Sequence, residues 1–247
     1  MQDRPVCLVI VQTVLYLSSV HRAKIRSRRP KVRLLELSRK TIESQTGTDV
    51  RERILETATE LFYNQGIRAV GVDLIVEKAG IAKSSLYRHF PTKDDLVLAF
   101  LRVMDQDFWA TWDKTAEAHS DDARAELDAQ LAWIGERAGQ PDYRGCPQIN
   151  IAAEFPDLDH PARRFAKEHK RELRRRLRVI AERLTCAVPD VVAGQLAVLI
   201  NGAFVSTPMY EPGEATVLLQ RAATSLISAK NSPRLSRRKA DVSKRKK

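Results

Sequence analysis

The side chains best placed for chemistry crowd into one short stretch, Lys83-Ser84-Ser85-Leu86-Tyr87-Arg88-His89-Phe90. Leu86 and Phe90 stand four residues apart, so on a helix they share a face and point inward. At about 100° per residue, Ser84 and Arg88 fall opposite Leu86, with Ser85 and Tyr87 on the flanks. The outward face is therefore small, polar and basic. A helix entering the major groove of duplex DNA needs such a face. Short side chains let it approach, and an arginine presents two parallel donors to a base edge. Tyr87 has two readings from the residues alone: its hydroxyl meets a phosphate, or its ring packs onto the first of the three helices.

Three elements must hold that face in place. The first is a helix beginning near Asp49, with Asp49 and Glu52 at capping-box spacing and an apolar stripe of Ile54, Ala58, Leu61 and Phe62. The second runs from about Asp73 to Ala79, with Leu74, Ile75 and Ala79 for packing. Gly80 joins it to the third, about Ala82 to Phe90, because a tight turn between two helices favours a residue without Cβ. Pro91 breaks the chain. Thr92, with Asp95 three residues on, caps a further helix. Leu96, Phe100, Leu101, Met104, Phe108 and Trp112 repeat along it at helical spacing, so it leaves the first domain and enters a second.

The run Ala79-Gly80-Ile81-Ala82-Lys83-Ser84-Ser85-Leu86-Tyr87-Arg88-His89-Phe90, followed by Thr92-Lys93-Asp94-Asp95-Leu96, resembles the helix-turn-helix of the TetR family of transcriptional regulators. The upstream helix Ile54–Phe62, ending at Gly66, matches as well, and the resemblance covers roughly residues 49–101. It departs at Gly71 and Val76, where the family usually has Thr and Ala. Glycine is a tolerable N-cap, but a hydroxyl that would touch phosphate is missing. The resemblance implies DNA contacts from Lys83, Ser84, Tyr87, His89 and Lys93. With those selected by helical geometry, the expected set is Lys83, Ser84, Ser85, Tyr87, Arg88, His89 and Lys93. Lys93, near a helix N-terminus, would meet phosphate beside free backbone N–H groups. His89 sits nearer the inward side, so a structural role stays open for it.

The rest of the chain also reads as helices: 121–138, a short helix or turn from Ile149 to Phe155, an arginine-rich helix at 162–184, and two apolar ones at about 190–206 and 214–229. Gly139, Pro141, Gly145, Pro147, Pro156 and Pro161 mark loops. There is no credible strand. The expected architecture is all-α: residues 49–95 form a three-helix DNA-binding domain and 96–229 a larger C-terminal helical bundle. The last two helices are broadly apolar, through Val191, Leu196, Leu199 and Ile200, then Val217, Leu218, Ala222, Leu226 and Ile227. The resemblance implies that this pair forms a four-helix bundle with a second subunit, giving a homodimer that reads a palindromic operator.

The resemblance also implies a cavity in the second domain for a small apolar or amphipathic effector. Its expected lining is Phe108, Trp109, Trp112, Trp133, Cys146, Asn150, Phe155 and Phe204. Aromatics at helical spacing equally suit a plain core. Cys146 reads as a thiol sensor, a ligand contact or a buried structural cysteine. Glu154, Asp157, Asp159 and His160 imitate a metal cluster, but flanking prolines favour a solvated loop. The histidines have no zinc spacing, so neither metal nor cofactor is expected.

The formal net charge is +11, unevenly spread. Residues 1–48 hold ten Lys/Arg against three acids, and 230–247 hold nine against one, which leaves 49–229 at net −4. DNA contact must therefore use local cations. Residues 230–247 read as a disordered basic tail. Residues 1–48 read as an extension, disordered or from a start upstream of the functional chain. Their apolar run at 6–17 is shorter than the roughly 20 residues of a membrane span, so no membrane partner is expected. Three scattered cysteines fit a reducing cytoplasm. No Gly-rich phosphate loop, nucleophile elbow or spaced metal motif points to an enzyme. The rival expectation is a basic-tailed architectural DNA binder without an effector.

Overall fold

The computed structural model describes residues 50–206, 209–211 and 213–228. The expectations for 1–48 and 230–247, and for a cap at Asp49, lie outside them. Every regular element among the described residues is a helix: α1 (Val50–Gln65), α2 (Val72–Ala79), α3 (Lys83–His89), α4 (Lys93–Ala118), α5 (Ala123–Ala138), α6 (Pro147–Glu154), α7 (Pro161–Arg183), α8 (Pro189–Ser206) and α9 (Glu214–Ser228).

Local chemistry accounts for the first four. The α1 stripe Ile54, Ala58, Leu61 and Phe62 is buried. Gly71 caps α2 without a side-chain hydrogen bond. Gly80 ends α2 at φ 63°, and its amide and that of Ile81 close onto Glu77 and Val76 carbonyls. That left-handed turn costs glycine little and strains other residues. Leu86 of α3 is fully buried against the stripe, and Phe90 follows it inward. Thr92 and Asp95 form the reciprocal capping box that starts α4.

At 26 residues, α4 runs further than the sequence required, to Ala118. At a rise of about 1.5 Å per residue it is roughly 39 Å long. Its first half packs on α1, where Phe62 and Phe100 meet edge to face at 5.7 Å. Its second half carries Phe108 and Trp112 into the core built with α5, α7, α8 and α9. Proline at the first position starts α6 earlier than the sequence spacing placed it. A Cβ on Gly135 of α5 would fall 2.3–2.7 Å from Thr216 atoms of α9, so only glycine permits that approach.

The charged surface of α7 is a wet face: Glu172 pairs with Arg175 and Arg176, Arg178 with Glu182. Its other face buries Ala162, Ala166, His169, Leu173, Leu177 and Ile180. By length and composition α8 is long and apolar enough to cross a membrane. It packs, however, on α7, α9 and α5. Its outer face carries Val198, 70% exposed, and Val205, 58% exposed.

Candidate nucleic-acid interface and aromatic cluster

α3 stands on α1 and α2 by its Leu86 side and presents the other side to solvent. Lys83, Ser84, Tyr87 and Arg88 are exposed, while Ser85 and His89 are half-buried on the flanks. Tyr87 is 43% exposed. An aromatic ring left open to water beside a cation and a serine is poor packing and good contact chemistry. Lys83 pairs with Asp73 of α2 at 2.7 Å. The two side chains are 54% and 83% exposed, and so open a pair gives way readily to a phosphate.

Lys93, at the start of α4, already has partners of its own. Its Nζ donates to the Ile67 carbonyl at 2.7 Å and lies 5.9 Å from the Phe62 ring centre. Burial pushes its pKa down, against the opposing pull of Glu154 and Asp94. Here it ties α4 to the chain after α1. Arg51, over the Phe90 ring at 5.1 Å, braces the end of α3.

In the second domain, five of the eight expected lining residues meet as one aromatic cluster. Phe108 contacts Trp109 at 4.9 Å, Trp133 at 5.1 Å, Trp112 at 6.3 Å and Phe204 at 6.5 Å between ring centres. Such tilted and edge-on pairs add about 0.5–1.5 kcal/mol beyond burial. Cys146 is buried in the same core. Its Sγ donates to Gln148 Oε1 at 3.3 Å and accepts from Lys170 Nζ at 3.4 Å. Asn150 and Phe155 go elsewhere. Asn150 is exposed and donates to the Arg144 carbonyl. Phe155 stacks on His160 at 4.2 Å.

The acidic loop residues are likewise engaged. Asp157 Oδ1 accepts from the Asp159 amide. His160 caps α7 and faces Asp94 at 3.2 Å. Glu154 Oε2 accepts from the Arg68 amide at 2.7 Å, reaching from α6 into the α1–α2 loop. Tyr63 of α1 accepts from the Arg144 amide at 3.1 Å. The segment 144–154 therefore holds the first domain at two points beside α4.

Sequence reading missed His169 and Tyr143. His169 completes the cluster, 5.1 Å from Phe108 and 5.0 Å from Trp109. Its Nδ1 lies 2.6 Å from Asp105 Oδ1. A histidine in register with the apolar stripe of a charged helix was the available signal. Tyr143 packs on Phe204 at 6.0 Å, and burial drives its hydroxyl strongly toward the neutral form. A loop residue gave no periodic signal.

The sequence profile described as "Bacterial regulatory proteins, tetR family" matches residues 54–100. The HTH-type transcriptional regulator LmrA of Bacillus subtilis is 31% identical over 131 residues, 50% of this chain. The chain spans 66% of that relative's length. Among solved structures, a TetR-family transcriptional regulator from Streptomyces coelicolor superposes with a TM-score of 0.68 at 29% identity, over 72% of this chain and 94% of that one. A putative TetR transcriptional regulator from Streptomyces avermitilis superposes at 0.63 with 31% identity, over 74% of this chain and 98% of that one.

Proposed function

Because the chain belongs to the TetR family of transcriptional regulators, we propose that it is a sequence-specific DNA-binding repressor, acting as a homodimer and released from a palindromic operator by a small apolar or amphipathic effector. The observation that carries the reading is the α3 face. Lys83, Ser84, Tyr87 and Arg88 project together from a helix whose opposite side, at Leu86, is fully buried. In a major groove, Ser84 and Arg88 read base edges while Tyr87 and Lys83 hold phosphates.

Exposed Val198 and Val205 on α8, with Val217 and Leu218 on α9, support the homodimer. An apolar surface shared by two adjacent helices is what a second copy would cover. Two copies place two short recognition helices on half-sites about 34–36 Å apart. The effector domain shares α4 with the DNA-binding domain. A ligand that shifts α4 changes the spacing of the two α3 helices. The protein works in the cytoplasm, where its operator is.

Selection of bound DNA from a random pool tests the reading. A repressor should enrich one palindrome whose half-sites lie one helical turn apart. Enrichment of no sequence would instead mark an architectural DNA binder.

A further inference from the structure

An acid stands beside the exposed face of α3. Asp73 lies in the first turn of α2, and its side chain is 83% exposed. Its Oδ1 is 2.7 Å from Nζ of Lys83, the first residue of α3. The pair thus joins the two helices of the helix-turn-helix. A helix start favours a negative charge. Gly71, which caps α2, brings no side-chain hydrogen bond of its own, and Asp73 is the acid of that first turn.

The pair is electrically balanced. The hydrogen bond from Asp73, and then its charge, raise the pKa of Lys83, so the ammonium stays charged. One positive and one negative charge sum to zero. That balance matters in a chain whose residues 49–229 sum to −4, because grip on the DNA backbone then depends on a few local cations. Of the exposed residues of α3, Lys83 and Arg88 carry a full positive charge.

A carboxylate and a phosphate offer an ammonium the same partner, a charged oxygen acceptor. In a helix-turn-helix the helix before the recognition helix crosses the DNA backbone. A carboxylate in its first turn, bound to the first residue of the recognition helix, fills the place on Lys83 that a phosphate oxygen would take.

We propose that Asp73 is an internal rival of DNA phosphate for Lys83, and that it sets how tightly the chain holds duplex DNA of any sequence. The proposal rests on the reading of α3 as the DNA-reading helix and adds a residue that tunes its affinity. DNA must open the ion pair to reach Lys83, and doing so leaves a carboxylate beside the backbone. Both effects weaken binding. An exposed pair costs little to open, so the rival moderates the phosphate contact without blocking it. Ser84 and Arg88 are untouched, and preference among base pairs is unaffected.

The test uses the full chain and a labelled duplex of mixed sequence, about 30 base pairs long, followed by fluorescence anisotropy across a salt series. Asp73→Asn should bind it about threefold tighter or more at low salt, and the salt dependence should steepen by up to about one released counterion. Simple removal of a negative charge near DNA would do part of this, so the same substitution is repeated in Lys83→Met. There its gain should be smaller by about twofold to fivefold, the worth of an exposed ion pair. Both positions are exposed, so neither change removes packing. An equal gain in the two backgrounds, an unchanged affinity in Asp73→Asn, or a change of preference at particular base pairs would overturn the proposal. Failure of the unaltered chain to bind any duplex would sink the functional reading along with it, whereas binding without coupling between the two positions sinks the proposal alone.

Discussion

At the scale of single residues, the proposed function divides the α3 face into readers and holders. Arg88→Ala or Ser84→Ala should change preference at particular base pairs by roughly 1–3 kcal/mol, because each removes a base-edge contact. Tyr87→Ala should weaken binding to all sequences alike, since a phosphate contact carries no sequence information. Lys93→Ala should leave the salt dependence of binding unchanged, because its ammonium is committed to the Ile67 carbonyl. Competition binding on operator variants, repeated across a salt series, checks all four. His169 gives a residue-scale test of stability. Burial lowers its pKa in the folded chain below the ordinary 6.5. As pH falls below that value, the unfolded chain takes up a proton that the folded one refuses. The stability His169 supplies is present above about pH 6.5 and is lost as pH falls toward the folded value. Urea unfolding at pH 7.5 and pH 5 should show a larger loss in the unaltered protein than in His169→Asn. Equal losses would mean that His169 is already solvated in the folded state.

Between elements, the link from the C-terminal helical bundle to the helix-turn-helix has two strands. One is α4, continuous from the capping box at Thr92 to the aromatic cluster. The other is the segment before and through α6, which grips the first domain through Arg144 and Tyr63 and through Glu154 and Arg68. Under the proposed function, an α4 shift that carries the C-terminal bundle away from α1 would strain those two hydrogen bonds. Glu154→Ala frees the second strand. Allosteric coupling is typically about 1–3 kcal/mol, or roughly 5–150-fold in affinity. In Glu154→Ala the factor by which saturating effector weakens operator binding should shrink, while effector affinity without DNA stays the same. Amide exchange at Arg68 should quicken, since its acceptor is gone. Unaltered coupling would assign the whole link to α4.

For the molecule as a whole, the proposed homodimer makes the outer side of α8 and α9 the surface to test. A groove of about 650 Å³ between them is lined by Val191, Val198, Leu199, Ala222 and Leu226 among others. Leu199 is half-buried and packs on the domain's own core, so a charge there would damage folding. Val198 and Leu218 are exposed. Glutamate at both of the latter positions should give folded monomers that bind a single half-site weakly. Sedimentation and circular dichroism check this together. A persistent dimer would place the subunit contact elsewhere. Loss of the dimer should also remove the advantage of a palindrome over one half-site, because affinity for the full site depends on linking two weak contacts.

Local rules acting over three or four residues fix much of this protein, and the sequence by itself determined those parts. Leu86 and Phe90 set which side of α3 faces outward, Gly80 sets the turn, and Thr92 with Asp95 starts α4. Each depends on neighbours along the chain, so spacing alone reveals it. The boundaries of α5, α7, α8 and α9 were legible for the same reason. Tertiary structure decided what was not local. Lys93 sits at a helix start that suits a phosphate, yet it turns toward Ile67 because α1 and α4 pack together there. Asn150 and Phe155 left the aromatic cluster because α6 presents them to other partners. His169 meets Asp105 across 64 positions, Arg144 meets Tyr63 across 81, and Arg68 meets Glu154 across 86. No periodicity encodes such pairs. They exist only once helices distant in sequence have buried their apolar faces against one another and brought the few polar groups among them within reach.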